Sequence, residues 1–435
     1  MGLRSKKSIF YTMLTNISRV VLALVLVLSG FVKAVDPQGT MYKLQEYADA
    51  FSVNLFSADW LLFFAIILAA FEFLTGVFLL IGVYRKFVTF VVFPVFLVFT
   101  SLTLYIAMSD AVSDCGCFGD AIGLSNKASF FKNLFLLLLS FIVFLGRRRF
   151  VVYLSAKNRW MAVLFSIFYI VLVEGISLYF VPVIDFRNYA IGNDLRELVQ
   201  GENDSYEVVM TFEKNGERRD FKQDSIPDET WQFVENRSVL VSEGKEPVID
   251  DFSILDWEND YDVSETILAD TGAVFIMVAE FLEEASVGRV DKINELYDYC
   301  LDNELLFVAA TSSDEANIEL WRKRTGAEYP IYWADNILLR NMIRANPGVL
   351  LIRDGVVTGK WNVWNMPDAE QMMLLKNADK KIKIGALHLD NTLFWILLFV
   401  LPMAVIVLID LATGRKSNPV KNIAEIETAK KENKD

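Results

Sequence analysis

Hydrophobic positions gather into six long runs, at 20–35, 60–83, 87–108, 130–145, 160–183 and 389–411, separated by short polar breaks. Runs 60–83 and 87–108 are long enough, at about 1.5 Å per residue, to cross a hydrocarbon core of about 30 Å. The first run follows Arg4, Lys6, Lys7 and Arg19 and passes without a small-residue cleavage site into Asp36-Pro37, so it reads as a retained helix with a cytoplasmic start. Pro37 then stops it. Residues 41–57 mix aromatic and charged positions at helical spacing, as an amphipathic helix on the membrane surface would; a loop is the alternative.

Arg85-Lys86, Arg147-Arg148-Arg149 and a tail with Arg415, Lys416, Lys421, Lys430, Lys431 and Lys434 all fall on one side if each run spans. The positive-inside rule then predicts six transmembrane helices in a bacterial inner membrane, both termini cytoplasmic, and residues 185–388 exported to the periplasm. A hydrophobic share of 54% with 34 phenylalanines and a mean hydropathy of +0.34 suit that reading. Charge divides along the same line. Residues 185–390 hold 41 of the 55 acidic residues and 21 of the 42 basic ones, so the exported part is a separate acidic domain, and nucleic acid is excluded as a partner.

Within that part the period changes. Residues 206–213 and 231–242 read as strands of a small β-rich module, with a hairpin turn at Lys214-Asn215-Gly216-Glu217. From about 246 come a helix at 263–269 capped by Ser264, a buried strand at 273–279, a helix at 289–303, a strand at 305–310, a helix at 316–325 and a short strand at 329–332. Asn346-Pro347 then precedes a strand, an Asp354-Gly355 turn and a second strand. Alternation of this kind predicts a three-layer α/β domain.

Candidate chemistry lies in Asp114-Cys115-Gly116-Cys117-Phe118-Gly119-Asp120, in the break after the third run. Two thiols one residue apart can close only if the backbone turns sharply, which Gly116 permits. Such a tight ring reads as an exchanging pair, and a free thiol pair shaping the loop is the other reading the spacing leaves open. If the pair exchanges, Cys117→Ala is expected to leave Cys115 to trap a client. Two thiolates with no histidine nearby are too few ligands for a closed tetrahedral site, although Asp114 or Asp120 could contribute an oxygen, so no metal is assigned. A single histidine, His388, speaks against a histidine-built metal site and a Ser-His-Asp triad. Glu72 and Glu174 fall inside apolar runs, where an ionisable group marks a pathway or an internal contact. For Glu72, packing across a helix contact, with Thr75 and Gly76 allowing close approach, is preferred to proton transfer. Cys300 is read as a small buried hydrophobe.

Ser29-Gly30-Phe31-Val32-Lys33-Ala34-Val35-Asp36-Pro37, Glu72 with Gly76 and Gly82, and Cys115-Gly116-Cys117-Phe118-Gly119-Asp120 resemble the DoxX/MauE family of redox-associated membrane proteins over residues 10–150. The resemblance implies a four-helix membrane bundle. It gives Cys115 and Cys117 as the redox pair, supported by Lys33, Glu72, Gly116, Phe118, Gly119 and Asp120. For MauE relatives it implies disulfide formation in methylamine dehydrogenase maturation, a substrate that does not carry over. Residues 246–384 resemble the thioredoxin fold, with Pro347 at that family's cis-proline. Its Cys-x-x-Cys is missing, because the matching stretch reads Ala279-Glu280-Phe281-Leu282-Glu283-Glu284-Ala285-Ser286. The fusion of the two resembles a Bacteroidetes group.

The expected organisation is therefore a bundle at 1–150, a fifth helix at 151–184, a β-rich module at 185–245, a thioredoxin-like domain at 246–384, a sixth helix at 385–411 and a cytoplasmic tail at 412–435. Three functions compete: thiol-disulfide exchange or electron relay in envelope protein maturation; a non-catalytic scaffold for an exported client or envelope complex; and a transporter or quinone-binding subunit built on Glu72. Membrane lipids and an exported protein are the expected partners. No cofactor is assigned, a quinone entering only in the third reading.

Overall fold

The computed structural model describes residues 2–53, 56–109, 112, 115–201, 205–214, 216–222, 227–228, 230–242, 244, 246–256, 259, 261–368, 371 and 392–414. Asp114, Asn215, His388 and the basic tail from Arg415 lie outside them. The chain forms two compact units, Met1–Arg187 with Ala386–Asp435, and Asn188–Gly385.

The first unit is helical: α1 (Gly2–Val35), α2 (Pro37–Ala50), α3 (Ala58–Ile81), α4 (Arg85–Ser109), α5 (Asn126–Gly146), α6 (Arg159–Tyr179) and α12 (Thr392–Gly414). Six of these, all but α2, are long and apolar enough to cross a membrane, which makes this a multi-pass membrane protein. Exposed apolar side chains such as Phe90, Leu97, Phe131 and Leu138 face outward, as contact with lipid requires.

Two expectations are corrected here. The first span reaches back to Ile9, so Arg19 is not a flank charge. It is fully buried, donating from Nη1 to the Val151 carbonyl at 2.6 Å, with its guanidinium 5.0 Å from the Phe150 ring centroid. Of residues 41–57, the stretch 41–50 is helical as expected, but the helix starts earlier and ends sooner than the sequence pattern suggests. Helix α2 begins at Pro37, where a missing N–H costs nothing, and Asp36 caps it by accepting from the Gly39 N–H at 2.9 Å. Its buried face, Pro37, Thr40 and Met41, packs on α3. Asp36-Pro37 is thus a corner between two helices.

Helices α1 and α3 approach most closely. A Cβ on Gly30 would stand 2.3 Å from the Phe73 backbone nitrogen, and one on Gly76 2.7 Å from that of Val27. Small residues at both crossing points let the backbones touch, as in other membrane helix pairs. Helix α12 joins the same core through Trp395 and Ile406, and its buried Asp410 accepts hydrogen bonds from Ser155 and Asn158. Glu174 is buried in α6, and its Oε1 has no hydrogen-bond partner among the described residues.

The second unit holds two sheets. A three-stranded antiparallel sheet, order β2-β1-β3, is formed by β1 (Ser205–Lys214), β2 (Glu217–Lys222) and β3 (Gln232–Ser242). A seven-stranded sheet, order β10-β9-β6-β7-β8-β4-β5, contains β4 (Ile254–Asp256), β5 (Tyr261–Asp262), β6 (Ala273–Ala279), β7 (Leu306–Thr311), β8 (Ile331–Ala334), β9 (Gly348–Arg353) and β10 (Val356–Asn362). Strands β6, β7 and β8 run parallel, with α9 (Asp291–Asp302) and α10 (Glu315–Thr325) as crossovers; β9 and β10 close the sheet antiparallel. Every residue of β6 is buried, so the sheet is covered on both faces. Phe275 and Met277 join one core with Ile293, Leu296, Cys300 and Trp321, and α11 (Asn336–Met342) packs against β6 and β7. This is the α/β order of a thioredoxin-like domain.

Local details differ from expectation. Ser264 does not cap α8 (Ser264–Ala269); its Oγ accepts from the Ile254 N–H at 2.8 Å, tying the helix to β4. Residues 192–196 do not belong with the small sheet. The Gly192 N–H donates to the Val357 carbonyl at 2.8 Å, the Leu195 N–H to that of Gly355 at 2.8 Å, and Arg196 pairs with Asp354 at 3.0 Å, so this segment edges the β9–β10 hairpin.

Candidate functional site

The cysteine loop is held by residues of α1, α2, α3 and α5. Cys115 and Cys117 form a disulfide, with Cα atoms 5.4 Å apart. Gly116 between them has φ +59°, a left-handed conformation that costs glycine least, and a Cβ there would meet the Lys43 side chain at 3.0 Å. The loop carbonyls are fixed from below. Tyr47 of α2 donates its hydroxyl to the Cys115 carbonyl at 2.6 Å, and Lys33 of α1 donates to that of Cys117 at 2.8 Å. Cys115 is 8% exposed and Cys117 is half-buried, so Cys117 is the more accessible sulfur.

Lys33 and Glu72 are brought together as a buried ion pair, Nζ to Oε2 2.7 Å, with side chains 7% and 3% exposed. The glycine-lined contact between α1 and α3 places them within reach of each other. Lys33 spends all three of its donors, on Ser29 Oγ at 2.7 Å, Glu72 Oε2 at 2.7 Å and the Cys117 carbonyl at 2.8 Å. Ser29 Oγ lies 2.6 Å from Glu72 Oε2 and 2.7 Å from the Cys117 carbonyl, and its one proton can serve either. The counter-charge of Glu72 is Lys33, one of the residues named only for its place in the motif.

Phe118 turns inward and is buried, with the Lys132 ammonium 4.4 Å from its ring centroid. Gly119 faces Val32 and starts a short 3-10 turn that contains the exposed Asp120. Behind the disulfide is a cavity of about 140 Å³, whose wall includes Cys115, Cys117, Glu72, Phe96, Leu136 and Lys132. Lys132 and Tyr47 are the residues that the sequence reading missed. Lys132 sits near the start of the fourth apolar run, six positions after Asn126, where a cation breaks an otherwise apolar stretch.

In the second unit the Asn346–Pro347 bond is cis and precedes β9. It faces the turn at 280–286, where the Ser286 N–H donates to the Asn346 carbonyl at 3.0 Å and Asn346 Nδ2 to the Phe281 carbonyl at 3.0 Å. No cysteine lies in that turn. Cys300 is remote from it, on the buried face of α9, and burial pushes its thiol up to about 12. A thiol so protonated is a poor nucleophile.

Fold and site define a class: a multi-pass helical membrane protein with a cysteine pair set into its bundle, joined to a thioredoxin-like α/β unit. Residues 11–146 match the family model described as Methylamine utilisation protein MauE, and residues 206–243 match a domain of unknown function, DUF8463. A solution structure described as "a putative protein disulfide isomerase from Bacteroides thetaiotaomicron" is similar at 15% identity over 29% of this chain and 87% of that one, with a TM-score of 0.25. No curated protein matches the chain.

Proposed function

We infer that this protein carries out thiol-disulfide exchange at the outer face of a bacterial inner membrane, with Cys115 and Cys117 as the exchanging pair and the thioredoxin-like unit exported. One observation carries the reading: the disulfide has one half-buried sulfur and lies in a loop whose carbonyls are fixed by Lys33, Ser29 and Tyr47. The match to the MauE model over residues 11–146 supports it.

The step balances as follows. A client thiolate attacks Cys117 Sγ, the Cys115–Cys117 bond breaks, and Cys115 leaves as a thiolate that takes up a proton. A second client thiol then displaces Cys117. The client dithiol has lost two electrons and two protons, and the pair holds them as two thiols. The thioredoxin-like unit has no cysteine at its turn, which fits a client-binding surface rather than a second redox centre.

Trapping tests this. Cys115→Ala leaves the Cys117 thiolate able to attack a client disulfide, releasing one client thiolate, but without a partner to resolve the product, so a mixed disulfide that reductant removes is expected on a non-reducing gel of native membranes. If neither single variant traps a species and the double variant supports growth like wild type, the pair is structural and the scaffold reading takes its place.

A further inference from the structure

We propose that the cavity behind the disulfide is a quinone-head site, and that a membrane quinone reoxidises Cys115 and Cys117. The proposal rests on the exchange reading and names its electron acceptor. Three features of the cavity support it. Its volume of about 140 Å³ is that of one ring, since an apolar cavity of about 150 Å³ admits benzene. The wall is mostly apolar, with Leu68, Phe96, Phe99, Leu102 and Leu136 on helices long and apolar enough to cross the membrane, which suits an occupant that partitions into lipid. Its polar wall holds the disulfide, the Lys33–Glu72 ion pair and Lys132.

Charge decides what the polar end of the occupant is. Lys33 has no donor left, being spent on Ser29, Glu72 and the Cys117 carbonyl, and Lys43 pairs with Glu46 at 2.8 Å. Among the described residues the Lys132 ammonium has no hydrogen-bond partner and rests against the Phe118 ring, next in sequence to Cys117. It can donate to a carbonyl oxygen of a ring in the cavity, whose wall also includes Cys115 and Cys117. That donor is worth most when the oxygen gains charge on reduction. In the reaction two S–H bonds break and the S–S bond forms; two electrons and two protons pass to the ring, whose two carbonyls become hydroxyls. Reduced chain plus quinone gives oxidised chain plus hydroquinone, with nothing left over.

The experiment uses the full chain in lipid nanodiscs, reduced and freed of reductant, with decylubiquinone, whose fully substituted ring cannot be trapped by thiol addition. The expected result is one hydroquinone formed and two thiols lost per chain, and none with Cys117→Ser. Lys132→Met is expected to slow the step by about 10- to 100-fold, the worth of a hydrogen bond to a charged oxygen, with Lys132→Arg restoring most of the rate. Binding is read separately on the oxidised protein: decylubiquinone raises the thermal midpoint of the wild type and not of Leu102→Trp, whose indole fills the cavity. If the oxidised wild type oxidises a client dithiol yet the reduced protein forms no hydroquinone from decylubiquinone and the oxidised protein shows no midpoint shift, the quinone site is overturned and exchange stands. If hydroquinone forms but no client dithiol is oxidised, the exchange reading falls instead.

Discussion

Replacing Glu72 with Gln would leave the Lys33 ammonium in the bundle with only neutral acceptors, Ser29 Oγ and the Cys117 carbonyl among them. Removing one partner of a buried ion pair typically costs about 3–5 kcal/mol, because the remaining charge keeps its desolvation penalty and loses its compensation. At 7% and 3% side-chain exposure, neither group can turn to water without opening the contact between α1 and α3. Lys33→Met should cost about as much, since it strands Glu72 and frees the Cys117 carbonyl. The double variant Lys33→Met/Glu72→Leu has no buried charge left, so its loss should fall well below the sum of the singles. A coupling of about 2–3 kcal/mol, the upper range for contacting residues, is the expected reading of the cycle. Denaturant titration of the full chain in mixed micelles, followed by tryptophan fluorescence, measures it. The double variant still lacks the Lys33 hydrogen bond to the loop, so Cys117 should label faster than in wild type after reduction, even where stability has returned. Additive losses across the cycle would refute the claim that the two residues act as one unit.

Further outcomes follow from other positions. Gly30→Ala places a methyl 2.3 Å from the Phe73 nitrogen and 2.8 Å from the Ala69 carbonyl, atoms of a helix backbone that cannot yield, so a loss of about 1–3 kcal/mol in the same titration is expected. With the disulfide closed, thiol counting at pH 8 should find no reactive thiol in the native chain and one, Cys300, after denaturation. The Cys300 thiol is raised in the folded state, so folding favours its protonated form: stability should be unaffected below the unfolded value near 8.5 and decline between there and about 12, a slope that Cys300→Ala removes in urea melts at pH 8 to 11. For topology, a phosphatase reporter fused after Gly216 should be active and one after Arg149 silent.

The spans were legible because each is a continuous apolar run, a signal that needs no partner to interpret. The alternation of strands and helices at 273–325 was legible for the same reason. What composition obscured was whatever a neighbour decides. Arg19 looks like a flank charge until the Val151 carbonyl and the Phe150 ring are placed beside it. Ser264 looks like a helix cap, yet its hydroxyl has a better acceptor role toward the Ile254 N–H across the sheet edge. Residues 192–196 carry no strand-like alternation at all, and their attachment to the β9–β10 hairpin through Gly192, Asn193 and Leu195 is set by that neighbour.

The pairing of Lys33 with Glu72 stands between these cases, because each half of it is written in the sequence. Helix α1 carries Gly30 three residues before Lys33, and α3 carries Gly76 four residues after Glu72. On a helix, positions three or four apart share a face. The small residue that admits a neighbouring backbone thus lies beside a charge on each helix, one positive and one negative. A lone charge in an apolar helix is costly, so the stable arrangement of two such helices is the one that brings both glycine faces together. Held so, with a second lysine donor on Ser29 Oγ, the ion pair leaves the third lysine donor free to reach beyond it. That donor points at the next polar group along the cavity, the Cys117 carbonyl, and fixes the loop that carries the disulfide.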